Sequence, residues 1–228
     1  MKIKIIFYHF IFSLILISSI NAQESIIWNI DRTDTIGGFP VEGLPDLPRI
    51  VETSKGKAAL FNGIDQAMLI KNNPLGDAKE YTIEVIFKPD SSTNPINLEQ
   101  RFLHVGNTPR TKSRILMEIR LLKKNQKWAF DSCISSDSST SILLDTLSTE
   151  MLHSAGEWYN IAFVYKHHKI TNYVNGVKEL QGDVFFNPLP DAQISIGARQ
   201  NPKSWFKGCI QSIRFTKRAL RTEEFLIP

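Results

Sequence analysis

Short segments with strand-like patterns recur along almost the whole chain after residue 24. Apolar side chains occupy alternate positions in some of these segments and consecutive positions in others, and both patterns are typical of β-strands. Gly, Asn and Pro residues between the segments end one strand and turn the chain toward the next. Many short strands separated by turns predict an all-β sandwich or barrel.

The stretch from 156 to 180 (GEWYNIAFVYKHHKITNYVNGVKEL) shows the pattern most clearly. Tyr159–Tyr165 carries apolar groups on both faces, which indicates a strand inside a sheet and covered on both sides. Ile170–Val174 is predicted to run back beside it, and Asn175–Gly176 supplies the positive φ angles of a two-residue hairpin turn. His167 and His168 fall at the first turn of this meander. Adjacent residues of an extended chain point in opposite directions, so we expect a solvated hairpin tip and no shared metal ion.

The C-terminal segment Arg218–Phe225 is the one place where a helix is predicted, because two glutamates suit the positive end of a first turn. No linker, repeat or low-complexity tract divides the chain before it. The polar run Ser135–Ser141 is interpreted as a hairpin tip.

The first 22 residues have the layout of a cleavable secretory signal. Lys2 and Lys4 precede the apolar run Ile5–Ile17, and the small residue Ala22 marks the cleavage point. A membrane anchor is the alternative, but the run is short for a span of about 20 apolar residues. Residues 23–228 are therefore predicted to be one secreted, periplasmic or cell-surface domain, with no membrane insertion of the mature chain.

The charge of the chain argues against a nucleic-acid partner. The sequence has 27 Lys and Arg against 23 Asp and Glu, and loss of Lys2 and Lys4 with the signal lowers the net charge from +4 to +2. The basic residues are also dispersed along the sequence and form no continuous patch.

Four segments in order resemble the LamG-like jelly-roll domains of the concanavalin A-like lectin/glucanase superfamily. The third is the Trp, Tyr and Asn-Gly meander described above, and the others are Leu60–Ile70 (LFNGIDQAMLI), Tyr81–Asp90 (YTIEVIFKPD) and Ile196–Phe225. The resemblance implies two antiparallel sheets packed face to face, with the first and last strands adjacent. The end of the signal, Asn-Ala-Gln, is similar to that of exported Bacteroidetes proteins.

The same superfamily includes glycoside hydrolases, so paired carboxylates are the feature to test. Retaining enzymes need two carboxylates about 5 Å apart, which laminarinase-like members carry on one strand. Here Glu118 has only Arg114, Arg120 and apolar neighbours, and Glu84 is alone on its strand. No catalytic residue is predicted, although convergence of carboxylates from separate strands stays open.

Asp65 is the single candidate for a metal ligand. Laminin G-like and pentraxin-like relatives hold calcium at the rim of the sandwich, and Asp65 follows the Asn62–Gly63 turn at the family's acidic position. The alternative is that Asp65 bonds backbone N–H groups of the turn. Since calcium takes six to eight oxygen ligands and one donor is evident, no cofactor is required by the sequence.

The loop near residue 200 combines an aromatic ring with planar polar groups, which together favour sugar recognition. Its candidate carbohydrate-binding residues are Arg199, Gln200, Asn201, Lys203 and Trp205. Trp205 is predicted to be either exposed for binding or packed on the sandwich. Trp28, Trp128 and Trp158 are predicted to lie in the core.

The prediction is an exported, non-catalytic carbohydrate-recognition or adhesion module with a polysaccharide or other glycan as partner. Two alternatives are a glycan-cleaving enzyme and a structural envelope protein that binds other proteins. The sequence does not specify the glycan or the oligomeric state.

Cys133 and Cys209 are predicted to form a disulfide. Export places them in an oxidising compartment, and their even number leaves no odd thiol. Closing a loop of about 75 residues would stabilise the fold by about 4 kcal/mol in the chain-entropy model. The alternative is two separate buried thiols that act as small apolar groups.

Overall fold

The computed structural model describes residues 24–90, 97–107, 112–122 and 126–227. Within these ranges the chain forms seventeen strands and two 3-10 helices, Thr149–Met151 and Thr222–Glu224. The strands are β1 (Ser25–Asn29), β2 (Thr35–Ile36), β3 (Phe39–Gly43), β4 (Arg49–Thr53), β5 (Gly56–Asn62), β6 (Met68–Ile70), β7 (Tyr81–Pro89), β8 (Glu99–Gly106), β9 (Arg114–Leu122), β10 (Lys127–Ser135), β11 (Thr140–Leu143), β12 (His153–Ser154), β13 (Tyr159–Lys166), β14 (Lys169–Val174), β15 (Val177–Asp183), β16 (Gln193–Ile196) and β17 (Lys207–Thr216).

The strands form the two antiparallel sheets of a sandwich, which confirms the predicted fold. The first sheet has the order β15-β14-β13-β7-β17-β5-β4, with β1 also paired to β17. The second has the order β11-β10-β9-β8-β16-β6-β3-β2, with β12 beside β10. Because β1 pairs with β17 in antiparallel register, the first and last strands are adjacent as the resemblance implied.

Aromatic side chains from both sheets meet between them and fill the core. Phe87 of β7 belongs to the first sheet, and its ring centroid lies 5.2 Å from Phe102 and 5.3 Å from Trp128, which come from strands of the second sheet. All three rings are fully buried. Large rings packed in this way bury the apolar area that holds the two sheets together.

Two of the three tryptophans expected in the core are there. Trp28 and Trp128 are buried in the apolar cluster between the sheets. Trp158 instead precedes β13, is half-buried and has the Lys88 ammonium 5.8 Å from its ring centroid. The prediction is wrong for Trp158, because this residue lies outside β13, immediately before its first residue Tyr159.

The meander has the predicted geometry. Strand β13 lies between β7 and β14 and is buried on both faces except at its last residue. His167 and His168 form the turn with φ angles of 48° and 61°, and Asn175 and Gly176 form the next turn with φ angles of 48° and 78°. Positive φ at both central residues is the geometry of the tight hairpin turns that suit twisted strands. The histidine pair is a hairpin tip.

The prediction of a C-terminal helix at Arg218–Phe225 is wrong, because the segment contains only the 3-10 turn Thr222–Glu224. The segment docks on the outer face of the first sheet, where the Leu220 N–H donates to Thr82 Oγ1 at 2.9 Å and the Leu226 N–H donates to Glu84 Oε1 at 2.7 Å. These bonds hold both ends of the segment in an extended conformation.

No helix among the described residues has the length and apolarity needed to cross a membrane.

The predicted disulfide is also wrong, since both cysteines are free and buried. Phe130 and Ile134 of β10 point into the core. Cys133 lies on the opposite side of the strand, so it points to the outer face of the second sheet. Cys209 precedes core residue Ile210 and points outward from the first sheet. Packed sheets lie about 10 Å apart, whereas a disulfide needs Cα atoms within about 7 Å. The sandwich itself therefore separates the two thiols.

We expect two reactive thiols per chain when the protein is denatured without a reductant. Because the cysteines face opposite sides of the sandwich, air oxidation of the folded protein does not link them. Thiol titration in guanidinium, with a reduced sample as the control, measures this number. A count near zero in the unreduced sample alone would contradict the fold described above.

Candidate functional site

Strands β8, β9 and β10 lie side by side and carry charged residues on the face that points away from the core. Met117 and Ile119 of β9 are fully buried between the sheets, so Glu118 between them points outward. The strand register places Arg101 of β8 and Asp131 of β10 directly beside Glu118. Two carboxylates and a guanidinium group therefore meet across three neighbouring strands.

Ion pairs connect these groups into a network. Arg101 Nε lies 2.7 Å from Glu118 Oε2, and Arg120 Nη2 donates to Asp131 Oδ2 at 2.8 Å. Glu99 contacts Arg101, and its Oε2 lies 3.1 Å from Arg120 Nη1. Glu118 and Asp131 are only 4% and 2% exposed, so these two carboxylates are held away from bulk water, whereas the Glu99 and Arg120 side chains are half-buried.

The loop of residues 197–206 folds over this face and is tied to it by hydrogen bonds. The backbone N–H of Arg101 donates to the Ser204 carbonyl at 2.8 Å, and that of Gln200 donates to His104 Nδ1 at 3.0 Å. The Gln200 side-chain amide donates to one carbonyl of β8 and one of β16, at 3.0 and 2.9 Å. These contacts fix the loop beside the charged residues of β8.

Arg199, in this loop, adds another guanidinium group to the charged residues of β8, β9 and β10. Burial lowers its pKa, and the charges of Arg114 and Arg101 lower it further, while Glu118 acts in the opposite direction. We call the assembled group the polar cluster. Its members are Glu99, Arg101, His104, Arg114, Glu118, Arg120, Asp131 and Arg199.

Two members of the polar cluster have unusual protonation. Burial, with the nearby charges of three arginines, lowers the pKa of His104 to about 3, so this imidazole is neutral at physiological pH. Burial and then the neighbouring Asp131 raise the pKa of Glu118 to about 7, against the opposing effect of the arginines. Burial also raises the pKa of Asp131. The cluster thus contains one carboxyl group that titrates near neutral pH.

Several buried polar atoms of this region make no hydrogen bond with any described residue. They are Asp131 Oδ1, Asn201 Oδ1 and the Nε atoms of Arg114, Arg120 and Arg199. Buried polar atoms are nearly always hydrogen-bonded, because each unsatisfied one costs about 1–3 kcal/mol. A set of them at one place is an arrangement that a polar ligand can complete.

The five loop residues predicted to bind carbohydrate have different positions and do not form a single binding surface. Arg199 joins the polar cluster, and half-buried Asn201 lies beside it in the loop. Gln200 is buried, and its amide is used to hold the loop on the sheet. Lys203 is exposed, while Trp205 is half-buried and bridges to the backbone of Arg101. Trp205 therefore combines the two alternatives, partial packing and partial exposure.

The sequence identified Glu118 but not the carboxylate opposite it. Asp131 lies in a different segment (KWAFDSCIS), and only the pairing of β9 with β10 brings it into register. The period-two pattern of that segment already places Asp131 on the face opposite Phe130, which is the one signal available in the sequence. Carboxylates from separate strands do converge here.

Asp65 is held by its own turn. The Asn62 side-chain amide donates to Asp65 Oδ1 at 2.7 Å, and Asn62 Oδ1 accepts from the N–H groups of Ile64 and Asp65. The side chain that caps the turn is thus Asn62, with Asp65 fixing its orientation. Among the described residues, no group of three His, Cys, Asp or Glu side chains is placed to hold a metal ion. Calcium binding at Asp65 stays a prediction.

The hairpin tip borders an open groove of about 360 Å³ at the edge of the first sheet. The His168 ring stacks on half-exposed Phe185 with centroids 4.9 Å apart, and His167 Nε2 lies 3.2 Å from Glu80 Oε1. This groove is mainly apolar, whereas the unsatisfied polar atoms lie in the polar cluster on the other sheet.

The Glu84 side chain is used by hydrogen bonds that hold the C-terminal segment on the first sheet. Its side chain is fully buried on the outer face of the first sheet, where it accepts hydrogen bonds from Arg214 Nε at 2.5 Å and from the Leu226 N–H. Asn160 supplies a third donor at 3.3 Å. Covered by the C-terminal segment, Glu84 is not placed for catalysis.

Solved structures with this arrangement of sheets include a domain of an arabinanase, a pentraxin and the binding domain of a neurotoxin. Domain 4 of AbnA, a GH43 extracellular arabinanase from Geobacillus stearothermophilus in complex with arabinotriose, superposes with a TM-score of 0.62 at 19% identity, covering 87% of this chain and 94% of that one. The SAP-like pentraxin from Limulus polyphemus gives a TM-score of 0.56 at 13% identity, covering 72% of this chain and 77% of that one.

The binding domain of botulinum neurotoxin DC, in complex with SialylT, gives a TM-score of 0.55 at 12% identity. That alignment covers 88% of this chain but 49% of the neurotoxin chain, so this protein spans about half of the longer structure. At these identities the likeness establishes the fold alone. No curated protein matches the chain significantly.

The sequence itself matches a family model, Laminin_G_3, over residues 62–225. This range includes the meander, the covering loop and all members of the polar cluster. The chain belongs to the concanavalin A-like lectin/glucanases superfamily.

Proposed function

We propose that this protein is an exported, non-catalytic carbohydrate-recognition module that binds a glycan at the polar cluster. The observation that carries this proposal is the set of buried polar atoms without hydrogen-bond partners in the loop 197–206 and on the neighbouring strands of the second sheet. Sugar hydroxyl groups both donate and accept hydrogen bonds, so they match a mixture of guanidinium N–H groups and the Asn201 amide oxygen. Half-buried Trp205 adds an apolar face beside them.

Fold neighbours support this assignment by analogy. The AbnA domain was solved with arabinotriose and the neurotoxin binding domain with SialylT. A fold hosts many functions, so the analogy adds to the argument from the site and does not replace it. The proposal includes residues 1–22 as a secretory signal, which lie outside the described residues, and residues 23–228 as one domain.

Glycan cleavage is the second candidate, and the facing pair Glu118 and Asp131 is the observation that favours it. A carboxyl group with a pKa near 7 suits a general acid. Against this, each carboxylate is already paired with an arginine and is almost fully buried. A general acid must come within hydrogen-bond distance of the glycosidic oxygen. The geometry therefore favours binding.

A glycan array probed with the mature protein, with and without calcium, tests the proposal. We expect at least one glycan class to bind, and the bound glycan to slow amide hydrogen exchange in the loop 197–206 and in β8–β10. No binding across a broad array would contradict the proposal. Protection at the groove around His168 and Phe185, with none at the loop, would place the site elsewhere. Release of reducing ends from a bound glycan would favour the enzyme.

A further inference from the structure

The polar cluster has more positive than negative charge. It contains four arginines and three carboxylates, and neutral His104 adds no charge. With every carboxylate ionised the surplus is one positive charge, and with Glu118 protonated it is two. Residues outside the described ranges cannot neutralise the surplus with a side chain, because none of them is Asp or Glu.

The surplus is located on two particular side chains. Arg101 pairs with Glu99 and Glu118, and Arg120 pairs with Glu99 and Asp131. Arg114 and Arg199 have no carboxylate within 4.0 Å in the described part of the chain, and the buried Nε atom of each has no hydrogen-bond partner there. Arg114 Nη1 donates to the Lys112 carbonyl at 3.0 Å, so the other N–H groups of these two guanidinium groups are the ones that remain for a ligand.

The unpaired guanidinium groups also repel each other. The charge of Arg114 is the largest electrostatic cause that lowers the pKa of Arg199, after burial. Gln200, the neighbour of Arg199, donates to the Gly106 carbonyl. Gly106 is paired with Arg114 in the strand register, so the two arginines lie at the same end of β8 and β9. Two like charges that lie close together are stabilised by an anion placed between them. A carboxylate or a sulfate ester accepts the parallel N–H groups of a guanidinium in a two-bond arrangement, which makes this pairing both strong and directional.

We propose that the glycan bound at the polar cluster is acidic, and that Arg199 and Arg114 bind its ring-borne oxyanion, a uronate carboxylate or a sulfate ester. This inference rests on the proposed function. A sugar is favoured over a long polyanion because the predicted mature chain carries a net charge of only +2. The covering loop also places Asn201 and Trp205 beside the cluster, where they can contact a sugar ring.

Calorimetry on the mature protein tests this inference. The ligands are oligogalacturonate, alginate and hyaluronan oligosaccharides, each paired with its methyl-esterified form, together with sulfated chondroitin oligosaccharides, neutral arabino-oligosaccharides and polyglutamate. We expect at least one acidic oligosaccharide to bind, and its ester or unsulfated form to bind about tenfold more weakly or worse, because a charge-assisted contact is lost. Binding is also expected to weaken as NaCl increases.

The variants Arg199→Gln and Arg114→Gln are each expected to lower the affinity for the acidic oligosaccharide about tenfold or more. Since Arg199 is a repelled cation, Arg199→Gln is not expected to lower the melting temperature, which separates lost binding from lost folding. Arg32→Gln, which removes an exposed arginine paired with Asp31, is the matched control and keeps full affinity.

The outcomes separate this inference from the proposed function. Binding of neutral glycans alone, or equal binding of an acid and its ester, overturns the inference and leaves the proposed function standing. Unchanged affinity in Arg199→Gln and Arg114→Gln, or equally tight binding of polyglutamate, also overturns it. An absence of binding to every oligosaccharide here and to a broad glycan array overturns both.

Discussion

Replacing Arg214 by Met is expected to lower the free energy of unfolding by about 3–5 kcal/mol. Arg214 Nε donates to Glu84 Oε2 at 2.5 Å, and Glu84 is fully buried. Without the guanidinium, the carboxylate stays buried with no counter-charge and keeps only the Leu226 N–H and the Asn160 amide as donors. Removing one member of a buried ion pair costs far more than the net contribution of the pair, because desolvation of the remaining ion is no longer offset.

Urea denaturation at pH 7 measures this change, and Arg32→Met is the matched control. Arg32 makes a 3.4 Å ion pair with Asp31, but its side chain is 60% exposed, so the control should lose no more than about 1 kcal/mol. The double variant Arg214→Met with Glu84→Leu is expected to recover most of the lost stability, since it removes the uncompensated charge. A loss below about 1 kcal/mol in Arg214→Met would contradict this prediction, because the buried Glu84 side chain would then need no counter-charge.

The second large effect is a dependence of stability on pH that comes from Glu118. Its pKa is about 7 in the folded protein and 4.5 in the reference state. Between these values the folded protein binds more protons than the unfolded chain, so the free energy of unfolding falls as pH rises through this window. The full contribution is on the order of 3 kcal/mol by pH 8, because each pKa unit corresponds to about 1.4 kcal/mol.

Glu118→Gln should remove this contribution. The comparison is the free energy of unfolding at pH 5 minus that at pH 8, which we expect to be about 2–3 kcal/mol larger in the wild-type protein than in the variant. His104 has the opposite dependence, because its lowered pKa costs stability as pH falls below 6.5. That dependence is present in both proteins and cancels in the comparison.

Glu52→Gln, at an exposed position on β4, is the matched control and is expected to keep the wild-type profile. An identical pH profile for wild type and Glu118→Gln would mean that Arg101 and Arg120 compensate the buried carboxylate fully. In that case the polar cluster would hold an ordinary ionised glutamate.

Much of the fold was predictable because strand formation depends on local patterns. Alternation in Tyr159–Tyr165 determined which side chains share a face, and the Asn175–Gly176 pair determined where the chain reverses. Both signals act over a few residues, and the structure has both features. The C-terminal helix was mispredicted because hydrogen bonds to Thr82 and Glu84, more than a hundred residues earlier in the chain, override the local preference.

The candidate site was predictable in part. Arg199 and Glu118 were singled out from the sequence, each in its own segment. Their proximity could not be predicted, because it depends on the covering loop and on the order of strands in the second sheet. The same holds for Gln200, whose amide is used by backbone carbonyls of two strands that the sequence does not place next to each other.

The amino-acid pattern was enough to predict the main core strands, their inner and outer faces and the tight turns, because a period of two and positive φ angles are properties of neighbouring residues. The position of Asp131 opposite Glu118 follows from the folded structure and not from either segment, since register between strands is set by packing across the sheet. The tertiary structure also decided that Cys133 and Cys209 remain apart, because the core of the sandwich lies between the two outer faces on which they sit.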